Sequence, residues 1–526
     1  MATPSPLTNK LIKGYIKAQK ESSDLSKSAI SIEKKNKKIS SFYEKAREVV
    51  SWRERNILRR NAIEKMLKKK ISLVGDKKIK SFSPEKFISE LIYCGAFENG
   101  KICKSKIEPL QEIIDKYILI FNYQVEKKKD SSFFLWLYSI MASEIEDLLS
   151  GNEAEKTLIS YMYNSLKNSV VTEKKIDGQE KNALLYIAIQ KSLFSLDYPL
   201  ISYQLLRHRG YLSLPESTEK IKDVAKEIDI EKKKIDDLFS HPLLPKFIRF
   251  CRKNSAPYML VGDIIKKNPN KAESVLKTPE EVEKEIIETY QKRVEKTKDY
   301  LLRIVFYATI LVFLISFLFF FLIELFLSNI LNLGESSAPL LILKIFVPTL
   351  ITALLFLIIR EPPQKNKKKV LLETMKIIYK EEEKQIIKKS RARGSFIYLI
   401  ITFFYALSFL IFVTALIWLL GIISFPIFSS LIFAVILSFI SFIGLRVRTR
   451  IREIYMIEEK EGSLNLLIDI LAFPIVFTRK LIVGNREKDT IFSIFFNTLI
   501  HTPFSVFLEL LNEWKHFLRE KKEKIY

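Results

Sequence analysis

The chain contains few cysteines and few glycines, and each shortage argues against a class of protein. The three cysteines, Cys94, Cys103 and Cys251, are too few and too irregularly spaced for a disulfide framework or a paired-cysteine metal site. We therefore expect a reducing compartment. Only 14 of the 526 residues are glycine. This argues against nucleotide-binding folds, because they need glycine where the backbone approaches a phosphate.

The sequence contains no recognisable catalytic or metal-binding motif. Its four histidines are scattered, and neither HExxH nor GxSxG occurs. Segment 95–101 has the Gly-to-Lys spacing of a phosphate-binding loop, but Ile102 stands where such a loop needs Ser or Thr to hold Mg²⁺. We interpret this segment as a connection between two helices, and we expect no cofactor and no bound metal ion.

Charged and apolar residues are separated along the chain. The net charge is +25 although 48% of the residues are hydrophobic. Lys is concentrated before Tyr300 and long apolar blocks follow it, which is typical of a soluble domain fused to a membrane domain. Part of the basicity has a second explanation, because a low-GC genome enriches Lys, Ile and Phe without selection for charge. Residues 1–20 contain no apolar run of signal-peptide length, so we expect a cytoplasmic N-terminus.

The first half of the chain shows helical periodicity. Apolar residues recur three and four positions apart in residues 83–270, which predicts short helices. We therefore expect an all-α fold, with a basic helical segment at 1–80 and a helical cytoplasmic domain at 81–277. The sequence TPEE from Thr278 combines a capping hydroxyl, a first-turn proline and first-turn acids. It predicts a connecting helix, 278–303, that continues into the membrane.

Four apolar blocks of about 20 residues follow, and each is long enough to cross the hydrocarbon core. They predict a four-helix transmembrane region made of two hairpins, 304–359 and 396–445, joined by a basic cytoplasmic loop or helix at 360–395. The individual blocks are Ile304–Leu327, Leu340–Ile359, Phe396–Leu420 and Ile427–Leu445.

The distribution of Lys and Arg predicts the orientation of these spans. Residues 360–395 contain 12 Lys or Arg and 5 acidic residues, whereas the two hairpin tips contain no Lys or Arg. The positive-inside rule then places both termini in the cytoplasm. Because little of the chain faces outward, a receptor for extracellular ligands is disfavoured.

Residues 446–526 contain two further apolar stretches, which we interpret as amphipathic helices on the cytoplasmic side. Interfacial or re-entrant placement is favoured over two more spans, because spanning would move four basic residues outside, namely Arg479, Lys480, Arg486 and Lys488. The last stretch carries a narrow polar stripe at steps of three or four. The stripe consists of Thr490, Ser493, Asn497, His501, Ser505, Glu509 and Asn512.

Two charged residues interrupt the first hairpin. Glu324 and Lys344 each lie ten residues from Gly334 at its tip, so an antiparallel hairpin places them at about the same depth. An unpaired charge inside the bilayer costs roughly 2.5–3.5 kcal/mol, and pairing relieves this cost. We expect an intramembrane ion pair; the alternative is that each side chain reaches separately toward the outer headgroups.

Basic residues flank the cytoplasmic ends of the predicted spans. Attraction to anionic lipid is worth about 1 kcal/mol for each Lys or Arg near the surface, although topology alone requires the same charges. The basic N-terminal helices lack a recognised nucleic-acid motif, so we do not expect nucleic acid as a partner. The candidate lipid contacts are Lys365, Lys367, Lys368, Lys369, Arg391, Arg393, Arg446, Arg448 and Arg450.

The runs HPLLPKFIRF, LLIDILAFPIVFTRKL and IFSIFFNTLIHTPFSVFLELLNEW lie within Lys220–Tyr526. On these runs the chain resembles a group of uncharacterised multi-span membrane proteins from candidate-phylum bacteria with reduced genomes. His501-Thr502 and Ser505 stand where that group usually has an acidic and a basic residue around the Pro-Phe pair. The resemblance implies a shared fold, and it implies no activity, cofactor or catalytic residue. With the predicted orientation, we expect a multi-pass protein of the bacterial inner membrane.

Three functional hypotheses follow. The leading one is a non-enzymatic membrane protein whose helical cytoplasmic domain acts as a scaffold or binds a cytoplasmic protein partner, in contact with anionic inner-leaflet lipids. The second is a transporter or channel component that uses the Glu324 and Lys344 region. The third is a membrane enzyme with an unrecognised cytoplasmic site. The sequence does not indicate an oligomeric state.

Overall fold

The computed structural model of the protein confirms the predicted all-α class, with one exception among the described residues. Val170–Thr172 (β1) and Gln385–Ile387 (β2) form a short parallel pair in which Val171 lies opposite Ile386. All other regular elements described are helices. The structure describes residues 3–25, 30, 52–71, 81–127, 130–172, 176–211, 218–323, 338–359, 362–379, 385–387, 395–422, 427–457 and 463–483.

Two of the N-terminal helices begin at a polar side chain that caps the first turn. Ser83 accepts a hydrogen bond from the backbone N–H of Lys86, and Asp130 accepts one from that of Phe133. The helices are α1 (Pro6–Leu25), α2 (Trp52–Lys70), α3 (Pro84–Tyr93), α4 (Ile107–Glu126), α5 (Ser131–Ser150), α6 (Glu153–Ser169), α7 (Gly178–Phe194), α8 (Tyr198–His208) and α9 (Thr218–Ser240).

The later described helices include the long apolar ones. They are α10 (Leu244–Lys267), α11 (Pro269–Val275), α12 (Pro279–Phe317), α13 (Ala338–Ala353), α14 (Gln364–Tyr379), α15 (Ser395–Ile422), α16 (Ile427–Ile451) and α17 (Ser463–Val483). A π-helical turn, Leu318–Ile323, follows α12. Short 3₁₀ turns are Lys104–Lys106 before α4, Leu354–Ile358 after α13 and Arg452–Ile454 after α16.

Packing divides the described residues into two compact units. The N-terminal unit comprises the described residues within 10–163 and 176–248. The C-terminal unit comprises those within 1–9, 164–175 and 249–484. Each unit buries its own set of apolar side chains.

Helix α5 is central to the N-terminal unit. It packs against α2, α4 and α8. Fourteen of its 20 residues are buried, and Leu137 and Met141 are fully buried. A helix with so few exposed side chains needs a protein or lipid environment on nearly every side. Here protein surrounds it, and the same helix buries Glu144, Glu146 and Asp147.

Helix α12 dominates the C-terminal unit. It is one unbroken helix of 39 residues, in which a charged first part continues directly into an apolar second part. Thr278 is the residue that precedes it, as predicted, but the Thr278 hydroxyl makes no capping hydrogen bond. The apolar half of α12 packs against α13 and α16, and Val305 and Val312 are buried in their common core.

Three described helical segments are long and apolar enough to cross a membrane, where four were predicted. They are Pro279–Phe321, Leu399–Ile422 and Ser429–Ile454. The remaining predicted span, Leu340–Ile359, comprises a helix of 16 residues, α13, and a 3₁₀ turn of 5 residues. Apolar composition favours burial in lipid, but it does not determine where α-helical hydrogen bonding gives way to the tighter 3₁₀ pattern.

Candidate functional site

Lys344 is a buried cation on α13. None of its side-chain surface is exposed, and its Nζ donates a hydrogen bond to Ser429 Oγ of α16 over 3.3 Å. Ser430, the next residue on α16, is also fully buried. We call Lys344, Ser429 and Ser430 the Lys344 cluster. The sequence singled out the lysine, whereas the two serines carried no signal, because hydroxyl side chains are common in apolar helices.

The contacts between α12 and α13 show which residues of α12 lie at the same height as Lys344 along the helix pair. Helices α12 and α13 pack together as an antiparallel pair, and the ring centroids of Phe313 and Phe346 lie 5.9 Å apart. Counting two residues from this contact puts residue 315 of α12 level with Lys344. The adjacent Ser316 has a fully buried hydroxyl that makes no hydrogen bond. Polar side chains therefore lie at about one level of an otherwise apolar core.

The Lys344 cluster combines an ammonium group with two hydroxyl groups. Such a set can hold a carboxylate or another small anion. Glu324 lies outside the described residues, so the predicted ion pair with Lys344 stays a prediction. Within the part of the chain that the structure describes, no group of three or more His, Cys, Asp or Glu is placed to hold a metal ion.

Four of the predicted lipid-contact residues lie at the start of α14. Lys365, Lys368 and Lys369 are exposed, and Lys367 is half-buried. Val370, on the other side of the helix, is buried. Helix α14 therefore presents a lysine-rich face to solvent, where it is accessible to an anionic partner.

Two other predicted lipid contacts have carboxylate partners inside the chain. Arg448 Nη1 lies 3.2 Å from Asp469 Oδ1 of α17, and Arg450 Nη1 lies 3.3 Å from Glu453 Oε1. A carboxylate this close offsets much of the attraction between the arginine and anionic lipid. Arg391, Arg393 and the side chain of Arg446 lie outside what the structure describes.

The whole polar stripe of the last predicted helix lies outside the described residues, namely Thr490, Ser493, Asn497, His501, Ser505, Glu509 and Asn512. Segment 95–101 is described, and it connects α3 to the 3₁₀ turn before α4. Gly95 and Gly100 have φ angles of 75° and 77°, which glycine adopts readily. Its interpretation as a connection between helices is confirmed.

Asn366 is a site that the sequence did not reveal. Its Nδ2 donates to Tyr290 Oη over 2.9 Å and to the backbone oxygen of Ile454 over 3.1 Å. Its Oδ1 accepts from the backbone N–H groups of Met456 and Ile457 over 2.8 Å and 3.2 Å. The amide uses two donors and two acceptors, its full capacity. Asn366 thereby joins α12, α14 and the segment after α16.

The N-terminal unit contains a second polar group that sequence reasoning missed. Glu144 Oε1 accepts a hydrogen bond from Lys116 Nζ over 2.6 Å, and its Oε2 accepts one from Tyr117 Oη over 2.8 Å. All three side chains are buried. Burial, the Glu144 charge and the hydrogen bond to it raise the pKa of Tyr117 well above its usual range. Glu144 is thus a carboxylate whose two oxygens both have donors.

Asp147, one turn further along α5, has three partners. Its Oδ2 lies 2.8 Å from Lys156 Nζ, 3.0 Å from Arg207 Nη1 and 3.1 Å from Tyr203 Oη. Burial raises the pKa of Tyr203, and the charge of Asp147 raises it further. Lys156 Nζ also lies 2.8 Å from Glu153 Oε1, so two carboxylates meet two cations, which is typical of a structural ion network.

Glu146 differs from its two neighbours. Its carboxylate is buried and lies 3.1 Å from Arg59 Nη2, but neither of its oxygens makes a hydrogen bond. Burial raises the pKa of Glu146 to about 7; Arg59 opposes this shift, while Asp147 and Glu155 add to it. The run SEIEDLL within an apolar helix is the only sequence signal for these carboxylates, and helical periodicity alone does not show that they are buried.

Comparison with protein-family models, curated proteins and solved structures gave no match to this chain. The predicted resemblance to membrane proteins of candidate-phylum bacteria therefore stays a prediction.

Proposed function

We propose that the chain is a bacterial inner-membrane scaffold, with four spans, both termini in the cytoplasm and a cytoplasmic helical domain that binds a protein partner. The observation that carries this proposal is α12, in which a charged half and an apolar half form one helix of 39 residues. The part before Arg303 extends over about 36 Å at a rise of about 1.5 Å per residue. It forms a stiff support between the bilayer and the cytoplasm.

The length of α13 and its 3₁₀ turn supports a fourth span. Sixteen α-helical and five 3₁₀ residues rise about 34 Å together, at about 1.5 Å and 2.0 Å per residue. This exceeds the hydrocarbon thickness of about 30 Å. The short helix and its turn can therefore cross the bilayer beside α12 and α16.

The position of α14 favours a protein partner over lipid for its lysines. Its first turn contacts Tyr290 through Asn366, and its last residue, Tyr379, donates a hydrogen bond to the backbone oxygen of Leu276 over 2.9 Å. Helix α14 thus runs along α12, away from the apolar half. Thirteen residues separate Tyr290 from Arg303, or about 20 Å, whereas the headgroup region is about 5–8 Å thick.

The contacts of α17 support re-entrant placement over a position flat on the membrane. The rings of Phe473 and Tyr405, on α15, stack with centroids 6.0 Å apart. Five residues before Phe473, Ile468 lies beside Gly444 of α16. Helix α17 therefore runs alongside both apolar helices, α15 and α16. The Arg448–Asp469 pair lies in the first half of α17.

Accessible cysteines test the proposed topology. In a variant with all three native cysteines replaced by alanine, Pro339→Cys is expected to react with a membrane-impermeant maleimide added to spheroplasts. Lys365→Cys is the matched control, and we expect it to react only after the membrane is opened. Equal labelling of both cysteines before opening would overturn the proposed orientation.

Site-specific photo-crosslinking tests the scaffold role. A photoreactive amino acid at the exposed Lys368 of α14, in the full chain in its native membrane, is expected to give one discrete protein adduct. The control is the same group at Leu410, which is 60% exposed on the apolar α15 and should contact lipid. If Lys368 and other exposed α14 positions give no adduct, the scaffold role through α14 is wrong.

The Lys344 cluster favours a second candidate function, transport of a small anion. A lysine buried level with residue 315 lies well inside the proposed bilayer, and such residues often mark ion pathways. If the chain transports an anion, the parent chain reconstituted in liposomes should carry an anion flux. Lys344→Met should abolish this flux, and Lys365→Met should leave it intact. The scaffold proposal requires no anion flux with either the parent chain or these variants.

A further inference from the structure

Helix α2 joins the N-terminal unit through apolar and charged contacts together. Ile63 and Leu67 are fully buried, and Tyr138 of α5 donates a hydrogen bond to the backbone oxygen of Ile71 over 2.6 Å. The helix is strongly basic, with eight Lys or Arg and two Glu in 19 residues. The surface on which it lies supplies carboxylates.

Two buried ion pairs connect α2 to that surface. Arg59 Nη2 lies 3.1 Å from Glu146 Oε1 of α5, and Arg60 Nη2 lies 2.6 Å from Asp197 Oδ2 at the start of α8. The carboxylate side chains are 1% and 5% exposed. Asp197 has a second role, because its Oδ1 accepts a hydrogen bond from the backbone N–H of Leu200 and caps α8.

The hydrogen bonding of these ion pairs is incomplete. Five buried atoms in them make no hydrogen bond, namely Arg59 Nε, Arg60 Nε, Glu146 Oε1, Glu146 Oε2 and Asp197 Oδ2. A buried polar atom without a hydrogen bond is desolvated without full compensation. The neighbouring Glu144, in contrast, has a donor on each oxygen. The contact between α2 and α5 is therefore complementary in charge but weakened by unmet hydrogen bonds.

We propose that α2 is a releasable clamp, which detaches from α5 and α8 as a unit and uncovers an acidic groove that accepts a basic helical segment of a protein partner. This proposal rests on the proposed scaffold function, because it assigns a second partner-binding surface to the same protein. The groove is defined by Glu146, Asp197 and Phe97, whose ring lies under the Arg59 guanidinium at 5.6 Å.

The chemistry of the partner follows from the present occupant of the groove. Two carboxylates, spaced to meet consecutive arginines of one helix, select a segment with adjacent cations. Phe97 offers a ring face to one guanidinium. A partner with an arginine pair on a helix can replace Arg59 and Arg60, and an acidic or purely apolar segment cannot.

Proton binding at Glu146 gives the clamp a pH dependence. The charged groups that face this carboxylate are Arg59 on α2, Asp147 on α5 and Glu155 on α6. With α2 docked, burial raises the pKa of Glu146 to about 7, and release returns it toward the ordinary carboxyl value. The docked state therefore holds the proton more tightly, and docking weakens as pH rises through that interval.

Hydrogen exchange of the full chain tests release. Peptides from α2 are expected to exchange faster than peptides from α4 and α5, and their opening constant should rise about tenfold from pH 6 to pH 8 after correction for intrinsic exchange. In Glu146→Gln this pH dependence should disappear. Glu90→Gln is the control, because it removes an exposed ion pair between α2 and α3 and should keep the dependence. Exchange of α2 only together with α5 would overturn the clamp.

A peptide of residues 52–71 tests the groove itself. At pH 8 the labelled peptide is expected to bind the full chain in competition with the chain's own α2, and a peptide with Arg59→Glu and Arg60→Glu should not bind. If both peptides bind equally, or neither binds while α2 exchanges freely, the groove does not select a basic helix. These outcomes are separate from the crosslink at Lys368, which tests the scaffold function on a different helix.

Discussion

The two units of the protein bury polar groups in different ways. The N-terminal unit buries full charges in matched sets, such as Lys116 with Glu144. The C-terminal unit buries mainly neutral side chains, and in its apolar helices these are hydroxyls such as those of Thr352 and Ser438, which donate to the backbone oxygens of Pro348 and Ala434. Transfer to lipid costs little free energy for a neutral group that is hydrogen-bonded within its own helix, whereas it costs much for a charged group. The difference indicates that the two units are built for different solvents.

The exposed surfaces show the same contrast. Large apolar side chains are exposed along α12, α13 and α15, for example Phe306, Leu350 and Trp418, at 62%, 61% and 72%. In the described N-terminal unit such residues occur singly, for example Tyr93 and Leu135. Continuous apolar exposure is rare on soluble proteins and marks contact with lipid or protein. The following predictions test this contrast, from the largest expected effect to the smallest.

The largest effect is expected when one member of a buried charge pair is removed. Lys116→Met leaves the buried Glu144 carboxylate with one donor, so we expect the N-terminal unit to lose about 3–5 kcal/mol of stability. The double variant Lys116→Met/Glu144→Leu should recover most of this loss, because no charge remains buried. Denaturant unfolding of the detergent-solubilised chain, followed by fluorescence of the buried Trp136, measures both. A double variant no more stable than the single one would contradict the idea that desolvation dominates here.

In the C-terminal unit the largest expected effect comes from a neutral residue. Asn366→Leu removes four hydrogen bonds and leaves the buried backbone groups of Ile454 and Met456 without their partner. We expect a loss of about 2–4 kcal/mol. Asn366→Asp should be at least as damaging, since it replaces the donor to Tyr290 by a charge. Thermal unfolding in detergent measures the change, and Lys365→Leu, on the exposed side of α14, serves as control.

How much of this could be predicted differs between the units. Helix α12 and the apolar character of α15 and α16 were predictable, because unbroken periodicity and long apolar runs are local properties of the sequence. The roles of Asn366 and Glu146 were not. Each depends on partners distant in sequence, such as Tyr290 and Arg59, which pattern alone does not bring together. Lys344 was singled out, but its partner Ser429 lies 85 residues away.

The space around two glycines shows how tightly the helices pack in each unit. A Cβ on Gly14 would overlap Thr157 Cγ2, whereas a Cβ on Gly444 would come no closer than 3.3 Å, to Leu355 Cδ2. We expect Gly14→Ala to cost about 1–3 kcal/mol, because the branched threonine cannot move far. Gly444→Ala should be within about 0.5 kcal/mol of the parent, because a leucine methyl adjusts and alanine favours helix. Unfolding temperatures of the two variants, each against the parent chain, decide between these outcomes.

Among the ion pairs of the N-terminal unit, the smallest effect is expected for an exposed one. Lys70 Nζ lies 2.6 Å from Glu90 Oε1, closer than Arg59 lies to Glu146, but these side chains are 30% and 41% exposed. Water already solvates both charges, so Glu90→Gln should change stability by less than about 1 kcal/mol, with less effect at high salt. Denaturant unfolding at low and high ionic strength measures this. A loss as large as that of Lys116→Met would mean that distance, and not burial, determines the value of an ion pair in this unit.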